Sequence, residues 1–150
     1  VRPYPLALTL GRPLCWTVAR GVTGTVRLML TQAQRTLCAP DRLVLIHSAH
    51  VGDPQAHRSL LAVCREAGIT APDRDTLGHD EWRGVAQIVR VIDSAQTVLH
   101  LRGLHVYSPA PYWGTPGPDA QRLWLPTEET ARSLLDEWEA QNSAQTRRSA

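Results

Sequence analysis

The sequence contains no lysine and no phenylalanine, and all sixteen of its basic residues are arginine. Without lysine the chain forms no Schiff base and has no amine whose pKa burial could lower into the range of a general base. Cys15, Cys38 and Cys64 are far apart and form no C-x-x-C pair. An odd, dispersed set argues against a disulfide framework and for a reducing, cytoplasmic setting. The longest tidy apolar run, residues 43–46, falls well short of the ~20 residues that cross a membrane and of a secretory core segment. Repeats and low-complexity tracts are also missing, which excludes solenoid and disordered architectures. What remains is a chain of 150 residues, 43% apolar and 20% charged. At this length one domain buries roughly 68–70% of its unfolded surface, enough for a single real core.

The net charge of +2 is unevenly spread. Residues 1–58 carry seven arginines against only Asp41 and Asp53, a balance of +5, whereas residues 59–146 carry seven arginines against twelve acids, a balance of −5. A basic half with few acids suits phosphate or another anion.

Patterning gives the element order. Residues 4–10 read as a strand. A helix follows from Pro13, with Leu14, Cys15, Val18 and Ala19 on one face and Gly21 just past its end. Residues 25–30 and 42–48 read as strands, the second entered from the turn-like Ala39-Pro40-Asp41. Asp53 caps a helix that starts at Pro54 and stops at Gly68, with Ala56, Leu60, Leu61, Cys64 and Ala67 as its apolar stripe. Residues 70–82 form a polar loop and residues 84–93 a long strand. Residues 98–101 and 104–107 flank Arg102-Gly103 as a tight hairpin. Residues 108–121, with four prolines and two glycines, make a long constrained loop of the kind that often carries function. Residues 122–125 form a last short strand. Thr127 then caps a helix whose Ala131, Leu134, Leu135 and Trp138 share a face. Residues 1–141 make one domain and residues 142–150 a flexible tail. Adjacent strands without a long crossover exclude a doubly wound parallel sheet, so the fold class is α+β, a small mixed β-barrel or curled sheet with packed helices.

Three stretches in the right order, spanning residues 5–126, resemble the ASCH (activating-signal-cointegrator homology) family, a branch of the PUA-like superfamily. They are Leu8-Thr9-Leu10-Gly11-Arg12-Pro13-Leu14-Cys15-Trp16 with Gly21, then Leu43-Val44-Leu45-Ile46-His47-Ser48, then Gly84-Val85-Ala86-Gln87-Ile88-Val89-Arg90-Val91-Ile92-Asp93. The resemblance implies a PUA-like barrel and a ligand such as RNA or a modified nucleobase or nucleoside. It also implies a G-x-K-x-x-E-x-R element after the first helix. Here that element is Gly21-Val22-Thr23-Gly24-Thr25-Val26-Arg27-Leu28: Thr23 stands at the lysine, Val26 at the acid and Leu28 at the arginine. Arg27 is one residue away, which in a strand means the opposite face. Family members acting as nucleoside amidohydrolases use a lysine, a threonine and a glutamate there, so the resemblance implies the fold and the ligand class without that catalysis.

Weak catalytic candidates are Thr23, Ser48 and Glu81, with His47 and His50 as further bases, and no spacing makes them a unit. His47, His50, His57 and Cys64 match no structural zinc spacing, so no metal and no cofactor are expected. For a base, Trp82, Tyr112 and Trp113 offer stacking planes. Arg12, Arg20 and Arg27 offer phosphate contacts, and Thr23, His47 and Ser48 offer hydrogen bonds to base edges. Trp16 and Trp124 read as core, and Trp82 as either a pocket mouth or a plug in the barrel end. The expected partner is RNA, single-stranded nucleic acid or a modified nucleoside, with no membrane involved. The alternatives are an N-modified nucleoside amidohydrolase with an altered site, or a protein-interaction module using residues 108–121.

Overall fold

The computed structural model describes residues 4–49, 54–72, 81–107 and 121–149. Strand β1 (Leu6–Leu10) leads into helix α1 (Arg12–Ala19). Strand β2 (Thr25–Leu28) and the short helix α2 (Gln32–Leu37) precede β3 (Leu43–Ser48) and α3 (Pro54–Ala67). Strands β4 (Trp82–Asp93), β5 (Thr97–Val106) and β6 (Arg122–Trp124) follow, and α4 (Glu128–Ser149) ends the chain. Among the described residues the strands form one six-stranded sheet ordered β2-β5-β4-β3-β1-β6. Only β1 and β3 pair in parallel; the other neighbours are antiparallel. The α+β class therefore holds. No helix among the described residues is long and apolar enough to cross a membrane.

Glycines end two helices as the sequence predicts. Gly21 sits at φ 74°, its N–H bonds Val18 O at 3.1 Å, and Val22 N–H bonds Thr17 O at 2.9 Å. Gly68 does the same for α3, with φ 70° and bonds from Gly68 to Arg65 and from Ile69 to Cys64. Both are the paired hydrogen bonds of a Schellman ending, which a side chain at that φ would strain.

Several sequence expectations are corrected. Arg102-Gly103 is no turn: β5 runs through it, and the β4–β5 turn lies at residues 94–96. Gly103 serves close approach instead, because a Cβ there would lie 2.7 Å from Ala19 O and 3.0 Å from Val18 O. Strand β2 stops at Leu28 rather than residue 30, and α2 follows behind a capping box of Thr31 and Gln34. Gln34 N–H bonds Thr31 Oγ1 at 3.2 Å and Thr31 N–H bonds Gln34 Oε1 at 2.9 Å, which satisfies two otherwise orphaned donors. On α3, Leu60 and Cys64 are buried while Leu61 and Ala67 are exposed, so the apolar stripe is narrower than the sequence suggests. Helix α4 continues to Ser149, through most of the expected tail. Asp53, His50 and the proline-rich loop with Tyr112 and Trp113 lie outside the described residues.

The sheet separates two apolar layers. Its inner face packs Leu6, Leu8, Leu10, Val26, Val44, Ile46, Ala86, Ile88, Leu99 and Leu101 under α1, with Leu37 and Cys38 of α2 at the side. Its outer face packs Ala7, Leu43, Leu45, Trp82 and Val85 against Ala131 and Leu134 of α4. Tyr107 ties the two together by donating its hydroxyl to Leu134 O at 2.6 Å. Register shifts at Ile46/His47, Val85/Ala86 and Ile88/Arg90 insert bulges that bend the strands. The bending curls the sheet until its two edges approach. Gln121, just before β6, donates Nε2–H to Arg27 O on β2 at 2.7 Å. Gln34 of α2 donates to Leu123 O on β6 at 3.0 Å. Two amides thus take carbonyls that β2–β6 pairing would have used, and the barrel stays open at one seam.

Candidate functional site

Polar residues gather at two places, the strand ends beside α1 and the seam. At the strand ends, His47 and Ser48 are adjacent on β3 and so point to opposite faces. Both are fully buried.

On the outer face, Thr9 of β1 lies opposite His47 in register. Its hydroxyl accepts from Trp124 Nε1–H at 2.8 Å and lies 3.2 Å from His47 Nδ1. His47 meets Trp82 edge-on at 4.9 Å and Trp124 at 6.0 Å. Trp82 itself is completely enclosed and lies 5.7 Å from Trp124, so it plugs this end of the sheet and lines no mouth. Thr9→Val keeps the shape but removes the hydroxyl that Trp124 Nε1–H and His47 Nδ1 both contact. Stability falls by about 2–3 kcal/mol in urea unfolding, while Thr9→Ser retains most of it.

On the inner face, Ser48 is committed to Glu81. Ser48 N–H bonds Glu81 O at 2.9 Å, and Glu81 N–H bonds Ser48 Oγ at 3.1 Å. Glu81, only 2% exposed, pairs through Oε2 with Arg83 Nη1 at 3.2 Å. Arg83 also hydrogen-bonds the Cys15 thiol; burial nonetheless dominates and pushes that thiol's pKa up to about 12. Arg20 lies over Trp16 at 4.4 Å. Partial burial first, and repulsion from Arg83 second, pull the Arg20 pKa below its usual value. Thr23, half-buried, follows the end of α1 with its N–H on Thr17 O at 3.3 Å. No side-chain hydrogen bond among the described residues joins Thr23 to Ser48 or Glu81. The three weak catalytic candidates therefore do not converge as a nucleophile with its base. Arg12 opens α1, and its side chain lies outside the described residues. No metal-binding group of His, Cys, Asp and Glu occurs among the described residues.

The burial pattern predicts how the thiols react. Cys15 and Cys64 are 1% exposed, whereas Cys38 is partly open, although burial and then Arg42, in opposite senses, also act on its pKa and the net shift is upward. At about pH 8 an aromatic disulfide reagent should modify one thiol in the native protein, and three after denaturation.

The seam gathers a different set. Between β2 and β6 lies a cavity of about 310 Å³ floored by Leu28, Leu30 and Leu123 and flanked by Arg27 and Arg122. Gln34, Gln96 and Gln121 bring carboxamides to it, and Met29, 76% exposed, stands at its edge. Among the described residues no carboxylate lines it, and neither arginine has an ion pair. A second cavity of about 340 Å³ lies between Tyr4, Pro5 and α4. Glu128, Asp136 and Glu139 rim it, and its one arginine, Arg132, is tied to Glu128 at 2.7 Å. Sizes are nearly equal, and the difference is charge: the described lining is basic at the seam and mainly acidic at the α4 groove.

Of the residues singled out in the sequence, Arg27 alone lines the seam among those described. His47, Ser48 and Trp82 are buried at the strand ends, and Arg20 sits beside Arg83. Arg122, Gln96, Gln121 and Met29 carry no sequence motif. They become neighbours only because the sheet curls and brings its first and last strands together. No protein-family model matches the chain, and no curated protein matches it.

Proposed function

We propose that the protein binds RNA or a related single-stranded nucleic acid or modified nucleoside, without catalysis of the amidohydrolase type, and that the seam between β2 and β6 is its contact. The observation that carries this reading is the pair of arginines, Arg27 and Arg122, flanking one cavity with no carboxylate beside them among the described residues. Guanidinium groups pair with phosphate in a fork geometry and also stack on bases, which a lysine ammonium does not do. The carboxamides supply edge contacts, and the leucine floor with Met29 supplies an apolar, polarisable wall for a base. The ASCH-type resemblance supports the same ligand class. The absence of lysine counts against a hydrolase, as does the engagement of Ser48 with the Glu81 backbone and of the Glu81 carboxylate with Arg83.

The test is fluorescence anisotropy of a labelled single-stranded RNA oligomer across a salt series. Affinity should fall as salt rises, with a log–log slope near −0.7 per phosphate neutralised. Arg27→Ala with Arg122→Ala should flatten that slope by roughly 1.4 and weaken binding at least tenfold. Binding that is undetectable, or indifferent to salt, overturns the proposal.

A further inference from the structure

Resting on the nucleic-acid reading above, we infer that the seam holds the phosphate group on two main-chain donors, the N–H groups of Arg27 and Leu123, which face it from the two edge strands. Both residues line the cavity. A sheet edge is one of the places where main-chain donors meet an anion, and backbone N–H groups are regular partners of nucleic-acid phosphates.

Register fixes where these donors point. In an antiparallel pair, residues whose N–H and C=O meet the partner strand alternate with residues whose groups point away from it. Leu101 N–H bonds Gly24 O at 2.6 Å, so along β2 Gly24, Val26 and Leu28 turn to β5, while Thr25 and Arg27 turn outward. Arg27 O agrees, since Gln121 Nε2 takes it across the seam at 2.7 Å. On β6, Leu123 O is taken by Gln34 Nε2 at 3.0 Å, so Leu123 faces away from Leu8, its partner on β1. In each residue the N–H shares the direction of the C=O.

A plain free edge shows donors and acceptors in equal number, which suits another peptide strand. Here glutamine amides engage the carbonyls of both residues, and no described group takes either N–H. The main chain at these two positions therefore offers the cavity donors alone. With Arg27 and Arg122 flanking it, that lining suits an oxyanion, whose bonds to N–H groups are strengthened by its charge. Gln34 and Gln121 are positioning residues, which cover the two carbonyls that would otherwise repel the ligand. Such a contact fixes a strand by its phosphate and reads no base.

The experiment is an amide NMR titration of the isotope-labelled full chain with inorganic phosphate and, separately, with a single-stranded RNA oligomer. Either ligand should move the Arg27 and Leu123 amide protons downfield more than any other strand amide, while those of Val26 and Leu28, turned to β5, stay nearly fixed. Gln121→Leu, which uncovers Arg27 O with no change of charge, should weaken both ligands about fivefold and leave the salt slope of RNA binding as it was. Salt-dependent RNA binding with these two amides unmoved overturns the inference and leaves the nucleic-acid reading standing. Movement with phosphate but no binding of RNA does the reverse. A glutamate-rich extended peptide that moves the two amides where phosphate does not would mark the seam as a strand-docking edge, which also overturns the inference. Silence toward phosphate and RNA alike removes both.

Discussion

Gly84→Ala is expected to lower the melting temperature by roughly 5–10 °C, a loss of about 2–3 kcal/mol for a domain of this size. A Cβ at Gly84 would lie 2.4 Å from His105 O and 3.0 Å from the Ala19 Cβ. Neither neighbour can rotate away. The His105 carbonyl belongs to β5, paired with β4 through the bulge beside it, and Ala19 closes the last turn of α1. Gly103→Ala should cost as much for the same reason, since its Cβ would press on Ala19 O, Val18 O and Gly21 N at 2.7–3.1 Å. These two glycines, on neighbouring strands, let the C-terminal turn of α1 lie directly on the backbone of the sheet. Gly11→Ser provides the contrast. Gly11 has open space for a Cβ, sits at φ −54°, and holds the N-cap position of α1 without a side-chain cap. Serine there should leave stability within a few tenths of a kcal/mol or raise it. Thermal unfolding of the three variants separates packing from a general intolerance of glycine replacement. A Gly84→Ala protein that melts like the parent would mean that α1 does not seat on β4 as described.

The same two glycines show what the sequence reveals and what it hides. Gly21 and Gly68 follow periodic helical segments, and their role is local, so the chain itself announces it. Gly103 sits between two apolar runs and looks local in the same way, as the centre of a hairpin. Its actual constraint comes from α1, more than eighty residues earlier in the chain, and nothing nearby in sequence records that. Helix α2 is the reverse case: Thr31 and Gln34 spell a capping box, but six residues with no buried side chain give no apolar period to draw attention to it. The strand calls on β1, β3, β4 and β6 are legible because buried apolar runs bounded by turn residues leave little choice. The site is less so. His47 and Ser48 stand together in the sequence, yet strand alternation sends one to the α4 side and the other under α1. Arg27 and Arg122 stand nearly a hundred residues apart, yet barrel curvature sets them on one cavity. The seam between the two edge strands is set by the curl of the sheet, and that curl is a property of the whole sheet.

Glu81→Ala should be the most damaging of these single changes, at about 3–5 kcal/mol. The carboxylate is 2% exposed and the Arg83 side chain 18% exposed, so removing Glu81 leaves a guanidinium largely shut off from water. The surroundings make this worse, because Arg83 already repels Arg20 and its other described partner is the un-ionised Cys15 thiol. Deleting the one negative charge of this cluster among the described residues leaves two cations that repel each other. Two further variants follow from that arithmetic of charge. Glu81→Leu combined with Arg83→Met should recover at least half of the loss, since a shape-matched apolar pair avoids desolvating either ion. Arg20→Gln should slightly destabilise the parent, by loosening its contact with Trp16, but stabilise the Glu81→Ala protein by relieving repulsion. That reversal of sign is the discriminating result. Urea unfolding of the parent, the two single variants and the double variant measures it directly, and an Arg20→Gln effect of the same sign and size in both backgrounds would show that Arg20 does not repel Arg83.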